Sequence, residues 1–180
     1  AKGREMIGLY LSAHPLDDYK IIINHMCKTQ LSELENLDAL KGQEIAVAGM
    51  VVSVQNLMTK TGKPWGRFKL EDYNGAHEFA LFGKDYENFR KYLFADYFLF
   101  VRGKVQPKPY NDQELEFKII AMTQLSEMRD SIKEMCVQLP VEEVTESLIR
   151  DLTDRVRESK GDTLLRLNVF DREAHVSVNL

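Results

Sequence analysis

The chain has 180 residues, 44% of them hydrophobic and 29% charged, a balance ordinary for a globular protein. Its net charge of −4 argues against a surface coated uniformly for nucleic acid. No apolar run approaches the ~20 residues that span a bilayer, and no signal-peptide pattern opens the chain. Cys27 and Cys136 stand far apart and read as two free thiols of a reducing cytosol rather than a disulfide, so a cytoplasmic protein is expected.

Residues 3–11, GREMIGLYL, place Met6, Ile7, Tyr10 and Leu11 at helical spacing. Pro15 ends that helix and suits the first position of a second one, over 15–26. His14 or Ser12 would cap this second helix, and Asp17 and Asp18 would sit in its positive first turn. Leu16, Tyr19, Ile22, Ile23 and Met26 form its apolar face. Residues 1–41 are thus expected to be a helical linker. His14 and the pair His25-x-Cys27 could suggest catalysis or a metal. No second cluster stands at ligand spacing, and His77 and His175 are isolated, so structural histidines are the better reading.

From residue 42 the period changes. EIAVAGMVVSVQNLM (44–58) is a β-branched run with one internal glycine, Gly49, suited to a bulge that lets a strand bend. TKTGKPWG makes a turn, RFKLED a second strand, Asn74-Gly75 another turn, and HEFALF a third strand. KDYENFRKYL (84–93) sets Tyr86, Phe89, Tyr92 and Leu93 on one helical face, the spacing of a helix plugging a barrel end. YFLFVRGKVQ and ELEFKIIAMTQL flank a Pro/Asn/Asp loop at 107–112. Five short strands with one helix between the third and fourth is the order of an OB-fold barrel, here over residues 42–125. Phe79, Leu81, Phe98, Phe100, Phe117 and Ile119 are assigned to its core.

The barrel segment is the least acidic part of the chain, so any basic patch must come from local clustering. In WGRFKLED, Phe68 and Leu70 share one face and Arg67 and Lys69 the other. With the apolar pair inward, the basic pair lies on the outer surface. Lys60 and Lys63 extend that surface from the loop tip, Trp65 stands at its edge, and Lys108 and Tyr110 come from the loop between strands four and five. Cations that track phosphates, interleaved with rings that stack on bases, are what single-stranded nucleic acid requires. Pattern alone leaves an equal alternative, in which the charges are solvated and Trp65 and Tyr110 pack back on the barrel.

After the barrel, Lys133 to Leu139 alternates as a strand. Pro140 is expected to open an amphipathic helix with Val141, Val144, Leu148, Leu152 and Val156 on one face and Glu142 and Glu143 in its first turn. Leu165, Leu167 and Val169 alternate next, Asp171-Arg172-Glu173 turns, and Val176, Val178 and Leu180 alternate again. The fold class expected is mainly β with α: a five-stranded OB-fold barrel between a helical linker (1–41) and a C-terminal α+β strand–helix–hairpin piece (126–180). The absence of a starting methionine and the last strand breaking off at Leu180 lead to the expectation of a piece of a longer protein with an exposed strand edge.

GLYLSAHPLDDY (8–19), followed by an OB-type barrel, resembles the α subunit of bacterial DNA polymerase III, whose linker carries G-[FL]-Y-[LI]-[ST]-x-H-P-[LI]. VAGMVVSV (47–54), TKTGKPWGRFKLED (59–72) and G-x-x-E-F-x-L-F (75–82) extend the match. Ala13 stands where glycine is frequent and Trp65 where methionine is usual. The anticodon-binding barrel of a tRNA synthetase shares V-x-G and F-x-L-x-D, but residues 8–19 argue against it.

The resemblance implies a parent that is a DNA-directed DNA polymerase, a nucleotidyltransferase of DNA replication. It also implies an OB fold that contacts single-stranded template. The family's catalytic carboxylates lie upstream, and no carboxylate cluster or phosphate-cradling loop appears in this stretch, so no catalytic residue, cofactor or metal is expected in it. On this reading Lys60, Lys63, Trp65, Arg67, Lys69, Lys108 and Tyr110 hold single-stranded DNA. About four phosphate contacts would give a slope of log K on log salt near −3. The alternative is a docking and spacing module for the sliding clamp, the clamp-loader tau subunit or single-strand-binding protein, contacts that the resemblance assigns to the parent chain. No membrane is implied.

Overall fold

The computed structural model describes residues 14–179. The helix expected over 3–11, and Ser12, lie outside the described residues. The chain divides into two compact units, with the boundary between Asp130 and Ser131.

The first unit is built on five antiparallel strands: β1 (Glu44–Met58), β2 (Pro64–Glu71), β3 (Ala76–Phe82), β4 (Phe98–Lys108) and β5 (Asn111–Gln124), in the spatial order β3-β2-β1-β4-β5. β1 is long because it serves two partners. Its first half, Glu44–Met50, pairs with β4, and Met50–Met58 pairs with β2. A bend between the halves lets the sheet coil on itself. Inside, Val47, Val51, Phe68, Leu70, Leu99, Val101 and Val105 are essentially inaccessible. Across the interior the rings of Phe79 on β3 and Phe117 on β5 approach to 5.9 Å, bringing the two ends of the sheet together.

The bend differs in detail from the expectation placed on Gly49. The register slips between Val51 and Ser53, so Val52 is the extra residue and turns partly outward. Gly49 answers a different need. A Cβ there would lie 2.7 Å from the Glu71 carbonyl oxygen and 3.1 Å from a Leu31 methyl, so the end of β2 can pass only over a residue without a side chain.

The helix after β3, α2 by position in the chain (Gly83–Phe89), and the 3-10 turn Arg90–Tyr92 close one end of the barrel, as the spacing predicts. Tyr86 and Leu93 are buried, while Phe89 and Tyr92 pack against the core. Tyr86 enters where Gly66 leaves room, since a Cβ at that position would meet its ring at 2.8 Å. Its hydroxyl donates to Asn56 Oδ1 at 3.0 Å, which satisfies the polar end of this buried ring.

Residues 15–26 form a 3-10 turn, Asp17–Tyr19, before the α-helix α1 (Lys20–Met26). No side chain caps the 3-10 turn or α1; His14 ties the chain just before them, its Nδ1 accepting from the Leu16 N–H at 3.1 Å and its own N–H donating to Asp17 Oδ2 at 2.7 Å. Leu16, Tyr19 and Ile22 are buried as the spacing predicts, whereas Met26 at the helix end is exposed. Two further 3-10 turns, Leu31–Glu35 and Leu37–Leu40, lead into β1, and Leu31 and Leu34 join the barrel core itself.

Phe98 and Phe100 are not inside the barrel. They alternate with Leu99 and Val101, which are, so they face the other way. The outer surface of β1 and β4 is apolar there and is covered: Tyr19 packs on Phe98 with ring centroids 5.3 Å apart, and Ala48 and Phe100 are buried. The turn between β2 and β3 ties down the same N-terminal segment. Tyr73 donates its hydroxyl to Asp17 Oδ1 at 2.8 Å and stacks near His14, and Asp72 Oδ2 accepts the Leu31 N–H at 2.8 Å.

A short helix, α3 (Leu125–Ser131), follows β5. In the second unit β6 (Glu134–Pro140) and β7 (Leu164–Asp171) are parallel, joined by the crossover helix α4 (Glu146–Glu158), and β8 (Val176–Asn179) returns antiparallel to β7. The helix starts later than Pro140 suggests. Pro140 closes β6, and Thr145 is the cap, its Oγ1 accepting from the Leu148 N–H at 3.1 Å. Glu142 and Glu143 therefore precede the helix rather than charge its first turn. Asp171 makes the hairpin turn by accepting from the Glu173 and Ala174 N–H groups. Val176 and Val178 on β8 are more than half exposed.

Candidate nucleic-acid interface

The outer face of β1, β2 and β3 follows from strand alternation. Phe68 and Leu70 on β2 and Phe79 and Leu81 on β3 point inward, so Trp65, Arg67 and Lys69 point outward beside Glu78, Ala80 and Phe82. The register then orders them in rows: Leu57–Trp65–Phe82, Gln55–Arg67–Ala80, and Ser53–Lys69–Glu78.

The first row is apolar. Trp65 and Phe82 are stacked at 4.9 Å with planes 14° apart, and Phe82 remains 55% exposed although it is a large aromatic side chain. In the second row Arg67 is held by its neighbours: Nε donates to Gln55 Oε1 at 2.6 Å, and Nη1 lies 3.5 Å from Glu78 Oε1. Lys69 continues the face, exposed, with Glu78 directly across on β3.

Lys60 and Lys63 stand on the turn that enters β2, and the turn is well tied. The Thr59 N–H donates to the Lys63 carbonyl at 2.8 Å, and Thr59 Oγ1 accepts the Lys63 N–H at 3.0 Å. Both lysines are exposed. Among the described residues, no carboxylate is paired with Lys60, Lys63 or Lys69.

Five of the seven residues singled out from sequence thus share one surface: Lys60, Lys63, Trp65, Arg67 and Lys69. Lys108 and Tyr110 stand apart. Their hairpin extends β4 beyond the start of β1, whereas Lys60 and Lys63 lie beyond its end. Lys108 is paired with Glu114, and that contact holds the glutamate below the ordinary carboxylate range. Tyr110 is fully exposed.

Sequence reasoning missed Phe82, Gln55 and Glu78. Phe82 was readable, because once Phe79 and Leu81 are inward, HEFALF must turn its last phenylalanine out. The partners of Arg67 were not, because they depend on register with two other strands.

Among the described residues, none of the histidines belongs to a group that could hold a metal ion. His25 Nδ1 is bonded to the Ile21 carbonyl, and His77 is partly buried with its ring edge-on to Phe79. Among the described residues no group of three His, Cys, Asp or Glu side chains could hold a metal ion, and no helix is long and apolar enough to cross a membrane. Both cysteines are free, with the Cys27 thiol pushed up to about 12 by burial.

The family model for an OB-fold nucleic acid binding domain matches residues 45–125, and the model for the DNA polymerase III alpha subunit, C-terminal domain, matches 135–180. The chain is 31% identical to the DNA polymerase III subunit alpha of Haemophilus influenzae over 168 residues, which is 93% of this chain and 14% of that protein. It is 30% identical to that of Pasteurella multocida over 162 residues, covering 89% of this chain and again 14% of the relative. A mitochondrial single-stranded DNA binding protein from S. cerevisiae aligns with 47% of this chain and 95% of its own at a TM-score of 0.32 and 12% identity. A likeness that distant does not tell what this barrel binds. The chain spans about a seventh of the length of its curated relatives, and over most of its own length it is homologous to DNA polymerase III alpha subunits.

Proposed function

We propose that the barrel is the single-stranded-DNA-binding module of a replicative DNA polymerase and that it contacts template on the outer face of β2 and β3. The observation that carries this reading is the stacked Trp65–Phe82 pair, with Phe82 more than half exposed, beside three lysines without carboxylate partners. A flat ring open on one side offers each unpaired base a stacking surface worth about 1–3 kcal/mol, whatever the base. Lys60, Lys63 and Lys69 supply the phosphate contacts, while Lys108 and Tyr110 extend the strand's path only where it reaches the second hairpin. The parent's polymerase activity, a cytoplasmic setting, and contacts with the sliding clamp, the tau subunit or single-strand-binding protein belong to the same proposal at the level of the longer protein. No residue of this chain is assigned to those protein contacts.

Because Arg67 already has partners, three phosphate contacts replace the four counted from sequence. The slope of log K on log salt should then be about −2. Fluorescence anisotropy with a labelled oligo-dT strand tests this. Binding that weakens with salt at that slope, and is lost on combining Lys60→Glu with Lys69→Glu, supports the reading. Absence of binding at high micromolar protein in low salt would remove it.

A further inference from the structure

Glu78 is the one acidic side chain in the rows of the proposed interface, and it sits between its two strand-borne cations. It lies 3.5 Å from Arg67 Nη1 and directly across the ladder from Lys69. Arg67 is fixed from its other side by Gln55 at 2.6 Å. The guanidinium is thus engaged from both neighbouring strands, with a carboxylate where a phosphate would bind.

Resting on the reading above, we infer that Glu78 limits how tightly this face holds a single strand, by occupying Arg67 in place of a phosphate. Both partners are substantially exposed, 41% and 51%, so the ion pair is weak and a phosphate can compete with it. The competition still removes one cation from the count that sets affinity and salt dependence. Grip then falls mainly to the rings of Trp65 and Phe82, which are indifferent to sequence and to the spacing of phosphates. A surface of that kind suits a strand that must slide past it.

The test is oligo-dT binding by the full chain and its Glu78→Gln variant, with and without Arg67→Gln. Removing the carboxylate should tighten binding roughly two- to fivefold at low salt, the range of a surface ion pair. It should also steepen the salt slope by about 0.7, one more phosphate contact. In the Arg67→Gln background most of that gain should vanish, with a remainder through Lys69. An unchanged affinity on Glu78→Gln, or an equal gain in both backgrounds, would overturn the inference while leaving the binding reading intact. No binding by either wild type or Glu78→Gln would remove the binding reading itself.

Discussion

The barrel has two apolar outer surfaces, and they are treated in opposite ways. On β1 and β4, Ala48 and Phe100 are buried and Tyr19 packs on Phe98. On β2 and β3, Trp65 and Phe82 stack on each other, and Phe82 is left half-exposed. Hydrophobic burial accounts for the first surface, because rings that would otherwise meet water find a helix. It cannot account for the second, where a large aromatic side chain stays exposed beside a row of cations. On the proposed reading, aromatic residues of the same kind do different work: one pair holds the chain together, and the other serves a ligand.

That contrast can be broken most directly by removing one ring from each surface. Tyr19→Ala should destabilise the protein by about 3 kcal/mol, as for other large-to-small changes at buried aromatics. Phe82→Ala should cost less than about 1 kcal/mol, the range of an exposed cross-strand pair. Urea denaturation of both variants measures the difference. Equal losses would mean that Phe82 is a structural residue after all.

Binding should show the reverse order. Phe82→Ala should weaken oligo-dT binding about 5- to 150-fold, the equivalent of losing one stacked base. Tyr19→Ala, assayed where it remains folded, should leave affinity close to wild type. An anisotropy titration that ranked the two the other way would place the strand on the wrong face.

A smaller effect comes from the plug. Tyr86→Phe leaves Asn56 Oδ1 without its donor and should cost about 1 kcal/mol, with no change in DNA affinity. Thermal melting beside anisotropy checks both halves of that statement.

The smallest effect is a pH dependence at the β2–β3 turn. Burial holds His77 below the ordinary histidine value of 6.5, against the pull of Glu35 and Glu78. The unfolded chain therefore takes up this proton more readily than the folded one. Above pH 6.5 His77 is neutral in both states and its full contribution to stability is present. As the pH falls through the depressed folded value, that contribution is lost. Urea midpoints at pH 7.5 and 5.5 should differ more for the wild type than for His77→Gln. Identical pH dependence would show that His77 is not part of it.

The barrel was legible in sequence because its signals are local. β-branched alternation, Asn74-Gly75 between two strands, and the i, i+3, i+6, i+7 spacing from Tyr86 to Leu93 each depend on neighbours in the chain. The outward set of β2 followed from the alternation of charged with apolar side chains. What sequence could not supply was register. Nothing in WGRFKLED says that Arg67 meets Gln55 and Glu78, so that of the four candidate cations one already has partners.

Alternation also says which residues oppose one another, but not which face is inside. Leu99 and Val101 took the interior and left Phe98 and Phe100 outside, where Tyr19, about 80 residues upstream, packs on Phe98. Likewise Gly49 marked the right place on β1 for the wrong reason: the close passage of Glu71 is a contact between strands, invisible in a single one.

An NMR titration of the chain with single-stranded DNA reads both outer surfaces at once. Binding on the face of β2 and β3 should shift the Trp65 indole and the backbone amides of Arg67, Lys69 and Phe82, together with those of Lys60 and Lys63. The amides around Tyr19, Phe98 and Phe100 should stay in place. Shifts confined to the covered face, or none at all at millimolar oligonucleotide, would contradict it.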